Sequence, residues 1–301
     1  MYVHLIDGTY ELFRHYYALP GYTDKQGHEV GAVRGVLNSL LTMLEEGATH
    51  IGIATDHVVE SFRNELYEGY KTGEGIEEAL LSQFPILEEV LESAGFKVWA
   101  MVEYEADDAI ATMAATADAD NRVERVWICS PDKDFGQCVR GNRVVQLDRR
   151  RDTILDADAV REKFGVPPES IPDYLALVGD SADGFPGLKG WGASSSAAVL
   201  SAYKHIDAIP ASAKDWTMKL QRADKLAETL QRERNQASLF LRLATLVTDV
   251  RDIGSVDELE WNGPQESFDE QCRIINTPDA VERAASLIEH VVYTHVKSNN
   301  S

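Results

Sequence analysis

Carboxylates are concentrated in a few short stretches of this 301-residue chain. The stretch "EYEADD" alone contains Glu103, Glu105, Asp107 and Asp108. Two unit charges about 4 Å apart repel by roughly 1 kcal/mol even in bulk water, so such a grouping needs a physical reason. Acids in the first turn of a helix gain about 0.3 to 1 kcal/mol each from the helix dipole, which accounts for two of the four.

Other acids directly follow predicted β-strands. Asp7 comes after "YVHLI", Asp56 after "HIGIAT", and Asp132 and Asp134 after "RVWICSP". Ligands of open α/β sheets bind beyond the carboxyl ends of the strands, so we expect these strands to direct their carboxylates into one crevice. The dipole of a helix N-terminus does not explain that convergence.

The stretch "GDSAD" adds Asp180 and Asp183 at the end of a predicted helix, where negative charge is unfavourable. A multivalent cation accounts for all of these acids together, whereas the alternative is a set of scattered surface acids. All-oxygen ligation without His or Cys favours Mg²⁺ or Mn²⁺ over zinc. Seven or more acids exceed the needs of one ion, which predicts two metals that activate a water and stabilise the leaving oxygen in phosphodiester hydrolysis.

Short β-rich runs alternate with amphipathic helices through the first half of the chain, which predicts an α/β fold. Further strand candidates are "HIGIA" (50–54), "FKVWAMV" (96–102), "RVWIC" (125–129) and "RVVQL" (143–147). A helix is predicted over Glu78 to Ala94.

From about Ile171 onward the strand signals stop, and apolar residues recur at helical intervals. The pattern therefore predicts an α/β domain over residues 1–170 and a helical region over residues 171–301. No low-complexity linker separates them, so a packed junction is expected near residue 170. The tail from about Trp261 is assigned no role beyond helical packing.

Charge and cysteine content limit the class of protein. Lys and Arg number 29 against 50 Asp and Glu, a net charge of −21 that repels a polyanion unless it is compensated locally. The three cysteines fit neither a disulfide framework nor a zinc-knuckle spacing. The absence of a signal-peptide pattern and of an apolar run of about 18 residues leads us to expect a soluble cytoplasmic protein.

A glycine-rich stretch, "GDSADGFPGLKGWGASSSAAVL", lies between two predicted helices. Its glycines, among them Gly184, allow a turn that brings main-chain N–H groups and a helix N-terminus against a phosphate. Such a turn binds the nucleic-acid backbone without reading bases. The alternative is that a tight turn between two helices needs the same glycines for its geometry alone.

Basic residues are sparse, and two groups of them stand out. "SFRNELYEGYKTGE" offers Arg63, Tyr70 and Lys71, suited to phosphate binding and base stacking, although a solvated helix face fits the pattern too. "RRR" at 149–151 lies between two strand-like runs and is predicted to form a solvated turn rather than a DNA contact.

Taken together, the motifs resemble the 5′ nuclease family of flap endonucleases, phage 5′ exonucleases and the N-terminal 5′ nuclease domain of bacterial DNA polymerase I. The pieces "LIDGTYELFR", "YEADDAIA", "SPDKDFGQCV" and "KFGVPPESIPDYLALVGDSADGFPGLKGWG" occur in family order over roughly residues 1 to 250. The resemblance implies a metal-dependent hydrolase acting on DNA with 5′ ends, flaps or nicks. It also implies a PIN-like α/β domain, with a central mostly parallel sheet, followed by a helix-three-turn-helix (helix-hairpin-helix) element.

The resemblance assigns metal-site roles to nine acids, and Glu103 matches none of them. The first site would be formed by Asp7, Asp56, Glu105, Asp107 and Asp108. The second site would be formed by Asp132, Asp134, Asp180 and Asp183.

The resemblance also assigns DNA contacts. Arg63 and Lys71 would act on the scissile phosphate, with Lys71 polarising it, and Tyr70 would stack on the 5′ strand. Duplex DNA would be contacted by Gly187, Lys189, Gly190 and Gly192. A possible potassium ion bridging to a duplex phosphate would be held by the main-chain carbonyls of Leu188, Gly190 and Gly192.

Two positions depart from the family pattern. Glu74 replaces an arginine usual after "YKTG", and "ASSSAA" follows "GWG" where a lysine is often found. If Lys71 and Glu74 shared a helix, they would lie on nearly the same face. Two alternatives to a DNA hydrolase remain: a PIN-type ribonuclease that uses the same acids, and a module that holds branched DNA without cutting it.

Overall fold

The computed structural model describes the backbone of residues 1–298 and the side chains of residues 1–288. The chain packs into two compact units that do not follow chain order. Unit 1 contains Met1–Val59, Gly73–Ile128 and the described residues from Val250 onward, and unit 2 contains Glu60–Thr72 and Cys129–Asp249. In the part of the chain that is described, no helix combines the length and the apolar character needed to cross a membrane.

Strands occupy the first half of the chain, and helices occur throughout. The strands are β1 (Tyr2–Asp7), β2 (His50–Asp56), β3 (Lys97–Met101), β4 (Arg125–Cys129), β5 (Val144–Asp148) and β6 (Thr153–Leu155). The helices are α1 (Gly8–Ala18), α2 (Gly31–Glu45), α3 (Phe62–Leu66), α4 (Glu78–Leu81), α5 (Gln83–Ser93), α6 (Ala106–Ala119), α7 (Ala157–Phe164), α8 (Ile171–Val178), α9 (Ala193–Tyr203), α10 (Ala223–Arg232), α11 (Arg234–Ala244), α12 (Phe268–Ile274) and α13 (Pro278–Ser298).

Unit 1 is built on strands in the order β3-β2-β1-β4. β2 runs parallel to both β1 and β3, with Asp7 opposite Ala54 and Asp56 opposite Met101. Every residue of β2 before Asp56 is buried, as expected for a parallel strand covered on both faces. The parallel register places the strand-end acids Asp7 and Asp56 at the same edge of this sheet, as the sequence predicted.

One predicted helix is interrupted. The helix expected over Glu78 to Ala94 is two helices, α4 and α5, which meet at Ser82. Pro85 explains the break, because in a continuous helix its ring would clash with the carbonyl of Leu81, four residues earlier. In the first turn of α5 the missing N–H of proline has no intrahelical partner to lose.

Unit 2 contains the antiparallel pair β5 and β6. The turn between them carries the "RRR" sequence, and the main-chain N–H groups of Arg150 and Arg151 donate to Asp148 Oδ1 at 3.0 and 3.1 Å. The predicted turn is therefore confirmed. β6 is the last strand in the described chain, in agreement with the predicted loss of strand signals.

The core of unit 2 fixes the loop between α8 and α9. Phe240 of α11 stacks on Phe185 of that loop with ring centroids 5.5 Å apart, and Tyr67 meets Phe240 edge-on at 5.8 Å. Asp180 and Phe185 exchange main-chain hydrogen bonds of 2.8 and 3.0 Å across the same loop. Aromatic packing and a small backbone bridge thus hold the segment that carries Asp180 and Asp183.

We expect Phe240→Ala to lower the free energy of unfolding by about 3 to 5 kcal/mol, because it removes a fully buried ring that contacts two other aromatic rings. Urea unfolding followed by circular dichroism measures the loss. The control is Ile154→Ala at a side chain that is 47% exposed, which should change stability by no more than about 0.5 kcal/mol. Equal effects in the two variants would contradict this account of the unit 2 core.

Candidate metal centre

The first group of predicted acids lies in unit 1, at the ends of β1 and β2 and the start of α6. Asp7 is the N-cap of α1, and its Oδ1 accepts the N–H of Tyr10 at 2.8 Å. Aspartate is favoured there because its carboxylate satisfies an N–H group that the first helical turn leaves without an internal partner.

Hydrogen bonds from main-chain N–H groups to side-chain oxygens link the strands and helices that carry these acids. The N–H of Asp56 donates to Thr9 Oγ1 in α1, and Asp56 Oδ1 accepts the N–H of Ala106 in α6, each at 2.8 Å. At the start of α6, the N–H of Glu105 donates to Asp108 Oδ2 at 3.1 Å. The ends of two strands and the starts of two helices are therefore tied together through carboxylate and hydroxyl groups.

Burial separates the predicted ligands in "EYEADD" from Glu103. Glu105 and Asp108 are buried, Asp107 is partly exposed, and Glu103 is exposed. Glu105 is the N-cap of α6, and Asp107 and Asp108 lie in the first turn of that helix.

The second group lies in unit 2 and is gathered more tightly. Asp134, Asp180 and Asp183 are all buried, and each offers a carboxylate oxygen within 4.8 Å of the others. Asp134 belongs to a short 3-10 helix that follows β4, and the other two lie in the loop after α8. We call these three residues the unit 2 cluster.

The carboxylate of Asp134 lies in an unfavourable environment. Its Oδ1 is buried and has no hydrogen-bond partner among the described residues. Burial, and then the charges of Asp132, Asp183 and Asp180, raise the pKa of Asp134 well above the usual range of an aspartate. A buried carboxylate facing other carboxylates is the environment that a bound cation would stabilise.

Two lysines contact the unit 2 cluster. Lys71 Nζ lies 3.1 Å from Asp183 Oδ1, and the Lys71 N–H donates to the Asp183 carbonyl at 3.0 Å. Lys133 Nζ lies 2.5 Å from Asp180 Oδ2. Burial acts to lower the pKa of Lys133, but the bond to Asp180 and the charges of Asp134 and Asp132 outweigh it and raise that pKa. Sequence reasoning missed Lys133, although it stands between two predicted ligands in "SPDKDFG".

Asp132 differs from the unit 2 cluster because it is exposed, and its Oδ1 accepts the N–H of Asp134 at 3.0 Å. The loop that carries both acids is held by Gln146, whose Nε2 donates to the carbonyls of Ser130, at 2.7 Å, and of Asp132. Gln146 is a second residue that the sequence did not single out. A buried amide in the middle of a strand has no local signal that identifies its partners.

The glycine-rich loop is shaped by two close approaches between main-chain segments. Gly184 has φ +85°, and a Cβ atom there would lie 2.1 Å from the carbonyl oxygen of Gly69. Gly187 has φ +68°, and its Cβ would lie 2.4 Å from the main-chain nitrogen of Gly179. The alternative that the turn itself needs glycine therefore holds for these two positions.

The far side of the same loop is open. Lys189, Gly190 and Gly192 are exposed, whereas Leu188 is buried. Helix α9 begins directly after Gly192, whose N–H donates to Ser195 Oγ at 3.0 Å. The carbonyl of Leu188 accepts the N–H of Trp191 at 3.1 Å, and the carbonyl of Gly192 accepts that of Ser196 at 2.9 Å.

Arg63 does not present its charge as the sequence led us to expect. Its side chain is 1% exposed, with Nε donating to the carbonyl of Leu243 at 2.9 Å and one terminal nitrogen to that of Thr245 at 3.0 Å. These bonds satisfy carbonyls at the end of α11, where the helix leaves them without internal partners. In this structure Arg63 stabilises the packing of α3 and α11 rather than offering a free guanidinium to a phosphate.

Tyr70 and Glu74 also differ from the expectations. Tyr70 is 4% exposed and belongs to the hydrophobic core of unit 2, so its ring presents no face on which a base could stack. Helix α3 ends at Leu66 and α4 begins at Glu78, so Lys71 and Glu74 do not share a helix face. Glu74 is exposed.

Two family models match consecutive parts of the chain. The model described as "5′-3′ exonuclease, N-terminal resolvase-like domain" matches residues 2–165. The model described as "5′-3′ exonuclease, C-terminal SAM fold" matches residues 166–267. The match extends further toward the C-terminus than the motifs suggested.

Curated relatives include a 5′-3′ exonuclease and DNA polymerases. A 5′-3′ exonuclease of Aquifex aeolicus is 31% identical over 264 residues, covering 87% of this chain and 87% of the relative. DNA polymerase I of Pseudomonas aeruginosa is 34% identical over 271 residues and 87% of this chain. The chain spans only 29% of the length of that polymerase.

A solved structure shares the fold. The bacteriophage T5 flap endonuclease, in a pseudo-enzyme–product complex with DNA and metal ions, matches with a TM-score of 0.63 and 16% identity, covering 96% of this chain and 98% of that one. The predicted fold class, a PIN-like α/β part with a helical C-terminal region, is confirmed.

We expect Arg63→Lys to lower the free energy of unfolding by about 1 to 3 kcal/mol, because buried carbonyls lose their donors and an ammonium cannot reproduce the planar guanidinium. Thermal unfolding measures the change. The matched control is Arg140→Lys, at an exposed arginine that also donates to two main-chain carbonyls, where little change is expected. If Arg63→Lys keeps full stability and loses only DNA affinity, the structural role is wrong.

Proposed function

The chain belongs to the 5′-3′ exonuclease family, as the motifs predicted, and we propose that it hydrolyses DNA phosphodiester bonds from a 5′ end or at a 5′ flap with the help of divalent cations. The observation that carries this proposal is the buried unit 2 cluster, in which three carboxylates face one another within 4.8 Å. Such an arrangement is unfavourable unless a cation compensates it.

The donor atoms of the unit 2 cluster fit a hard divalent cation. They are all carboxylate oxygens, and Asp134 Oδ1 is buried without a hydrogen-bond partner in the described chain. Mg²⁺ and Mn²⁺ prefer such oxygen donors, whereas zinc favours His and Cys. We assign one ion to Asp134, Asp180 and Asp183, with the exposed Asp132 beside them.

A second ion is assigned to the acids of unit 1. The residues that would hold it are Asp7, Asp56, Glu105, Asp107 and Asp108. A pair of divalent cations supplies charge stabilisation to the attacking and leaving oxygens of a phosphodiester. The relative from phage T5 carries metal ions in its structure, which supports this assignment.

Lys71 is the residue that we assign to the scissile phosphate. Its ammonium is partly exposed and lies next to the unit 2 cluster, 3.1 Å from Asp183 Oδ1. An ammonium bonded to a non-bridging phosphate oxygen stabilises the charge that develops in the transition state, an effect worth about 3 kcal/mol in comparable sites. Arg63 is assigned a structural part, since its guanidinium is bonded to carbonyls.

We assign the open side of the glycine-rich loop to duplex DNA. The N–H groups around Lys189 and Gly190 and the N-terminus of α9 suit phosphate oxygens, and they need little basic surface. Contacts that need few basic residues are important here, because the net charge of −21 repels DNA. A potassium ion on the carbonyls of Leu188, Gly190 and Gly192 would add positive charge at the same place.

A ribonuclease with the same acids is the second candidate, and the third is a module that binds branched DNA without cutting it. The acids of both groups are all present, which disfavours a module without catalysis. DNA is favoured because the relative from phage T5 is a complex with DNA and the Aquifex relative is named a 5′-3′ exonuclease. Flaps of DNA and RNA with the same sequence, compared in one assay, distinguish the first two.

We expect Asp134→Asn and Asp107→Ala each to lower the rate of cleavage of a labelled 5′-flap duplex by about 10²- to 10³-fold, the loss seen when one charge-stabilising group is removed from such a site. Cleavage should require Mg²⁺ or Mn²⁺ and stop with EDTA. Glu103→Gln is the matched control, since Glu103 is exposed and outside both groups. Full cleavage by Asp134→Asn, or cleavage in EDTA, would rule out the proposed mechanism.

Glu74→Arg should strengthen binding of 5′-flap DNA, because it reverses an exposed charge in the segment that follows Lys71. The expected gain is about fivefold in Kd, the size of a roughly 1 kcal/mol exposed charge interaction. Fluorescence anisotropy in EDTA measures binding without cleavage, and Glu89→Arg, at an exposed acid of α5, controls for net charge. If both variants gain equally, the segment after Lys71 makes no specific contact with the DNA.

A further inference from the structure

The unit 2 cluster already has cationic partners of its own. Lys133 Nζ pairs with Asp180 Oδ2 at 2.5 Å, and Lys71 Nζ pairs with Asp183 Oδ1 at 3.1 Å. Asp134 offers a carboxylate oxygen within 4.8 Å of both acids, and its buried Oδ1 has no hydrogen-bond partner among the described residues. Two of the three carboxylates therefore pair with ammonium groups, and the third, Asp134, has one oxygen without a hydrogen bond.

The lysines and a divalent cation would compete for the same carboxylates of the unit 2 cluster. With the neighbouring Asp132, the acids supply at most four negative charges, of which the two ammonium groups offset two, and a divalent cation would bring two further positive charges next to those ammonium groups. Each ammonium group also bonds to one carboxylate oxygen that the cation could use as a ligand. Like charges at this spacing in a poorly hydrated site repel strongly, so the ion pairs and the bound cation are alternatives.

We propose that Lys71 and Lys133 are resident counter-cations of the unit 2 cluster and that a divalent cation binds there by displacing them from Asp183 and Asp180. The proposal rests on the assignment of this cluster as a metal site. Both side chains are about one-third exposed, so their ammonium groups can turn outward on four-carbon stems without unfolding the loop.

This exchange has a consequence for the order of events. While Lys71 is bonded to Asp183, its ammonium is not available to a phosphate oxygen. Binding of the cation releases it beside the same cluster, so metal loading and presentation of Lys71 to DNA become one step. Lys133 is released in the same way and adds a second ammonium to a region where the chain is otherwise acidic.

Lysine labelling tests the exchange in the unmodified protein. The chain is treated briefly with an amine-acetylating reagent, with and without Mg²⁺, and the labelled positions are quantified by mass spectrometry. We expect the reactivity of Lys71 and Lys133 to rise at least threefold with Mg²⁺, while that of Lys163, which lies over the ring of Phe164, stays constant. Unchanged reactivity of Lys133 in protein that has bound Mg²⁺ would overturn the proposal.

Calorimetric titration with Mn²⁺ tests the competition between lysine and cation. The binding step lost in Asp134→Asn identifies the unit 2 cluster, and Lys133→Met should tighten that step about tenfold because the competing ammonium is gone. Lys133→Arg should bind like the native protein, and Lys163→Met is the control for the loss of a positive charge. Unchanged or weaker binding in Lys133→Met contradicts the exchange.

Further variants and outcomes show whether the metal assignment or only the exchange is wrong. If Lys133→Met is too unstable to purify, Lys133→Gln carries the same expectation, and thermal unfolding in EDTA should show both variants less stable than the native protein. If the native protein binds no Mn²⁺ at the step removed by Asp134→Asn, the metal assignment itself fails, and the exchange with it. If that step is present but insensitive to Lys133, only the exchange is wrong.

Discussion

The mutual repulsion of buried carboxylates is the constraint that organises unit 2. Asp134, Asp180 and Asp183 repel one another, and the charges of Asp183 and Asp180 add to burial in raising the pKa of Asp134. The fold holds them together by fixing each main-chain segment independently of the acids. Two lysines then offset part of the remaining charge.

Apolar packing, glycine and the hydrogen bonds of a side-chain amide hold the main-chain segments that carry these acids. Phe185 stacks on Phe240, and this contact holds the loop that carries Asp180 and Asp183. Gly184 allows the same loop to pass close to the main chain of Gly69. Gln146 holds the carbonyls on either side of the Asp132 loop. Rigid supports of this kind allow an unfavourable arrangement of charge to persist.

The proposed binding of DNA by an acidic chain needs positive charge that is placed locally. The structure pairs Lys71 and Lys133 with carboxylates of the unit 2 cluster. Lys189, Gly190 and Gly192 are exposed in the loop before α9. If DNA binds as proposed, these local groups act against a net charge of −21 that opposes its approach.

Local patterns in the sequence determined the α/β class, five of the six strands in the described chain, the helical C-terminal region and the acids at strand ends, because residue periodicity and the chemistry of strand termini are properties of neighbours in the chain. The short strand β6 was not predicted. The break at Pro85 also has its cause in the sequence, but the prediction from periodicity alone missed it. The tertiary structure decided the rest: Arg63 binds carbonyls some 180 residues away, Tyr70 enters the core of unit 2, and Lys133 pairs with Asp180. Burial and the choice of partner depend on which distant segments meet, and no spacing within one segment encodes that.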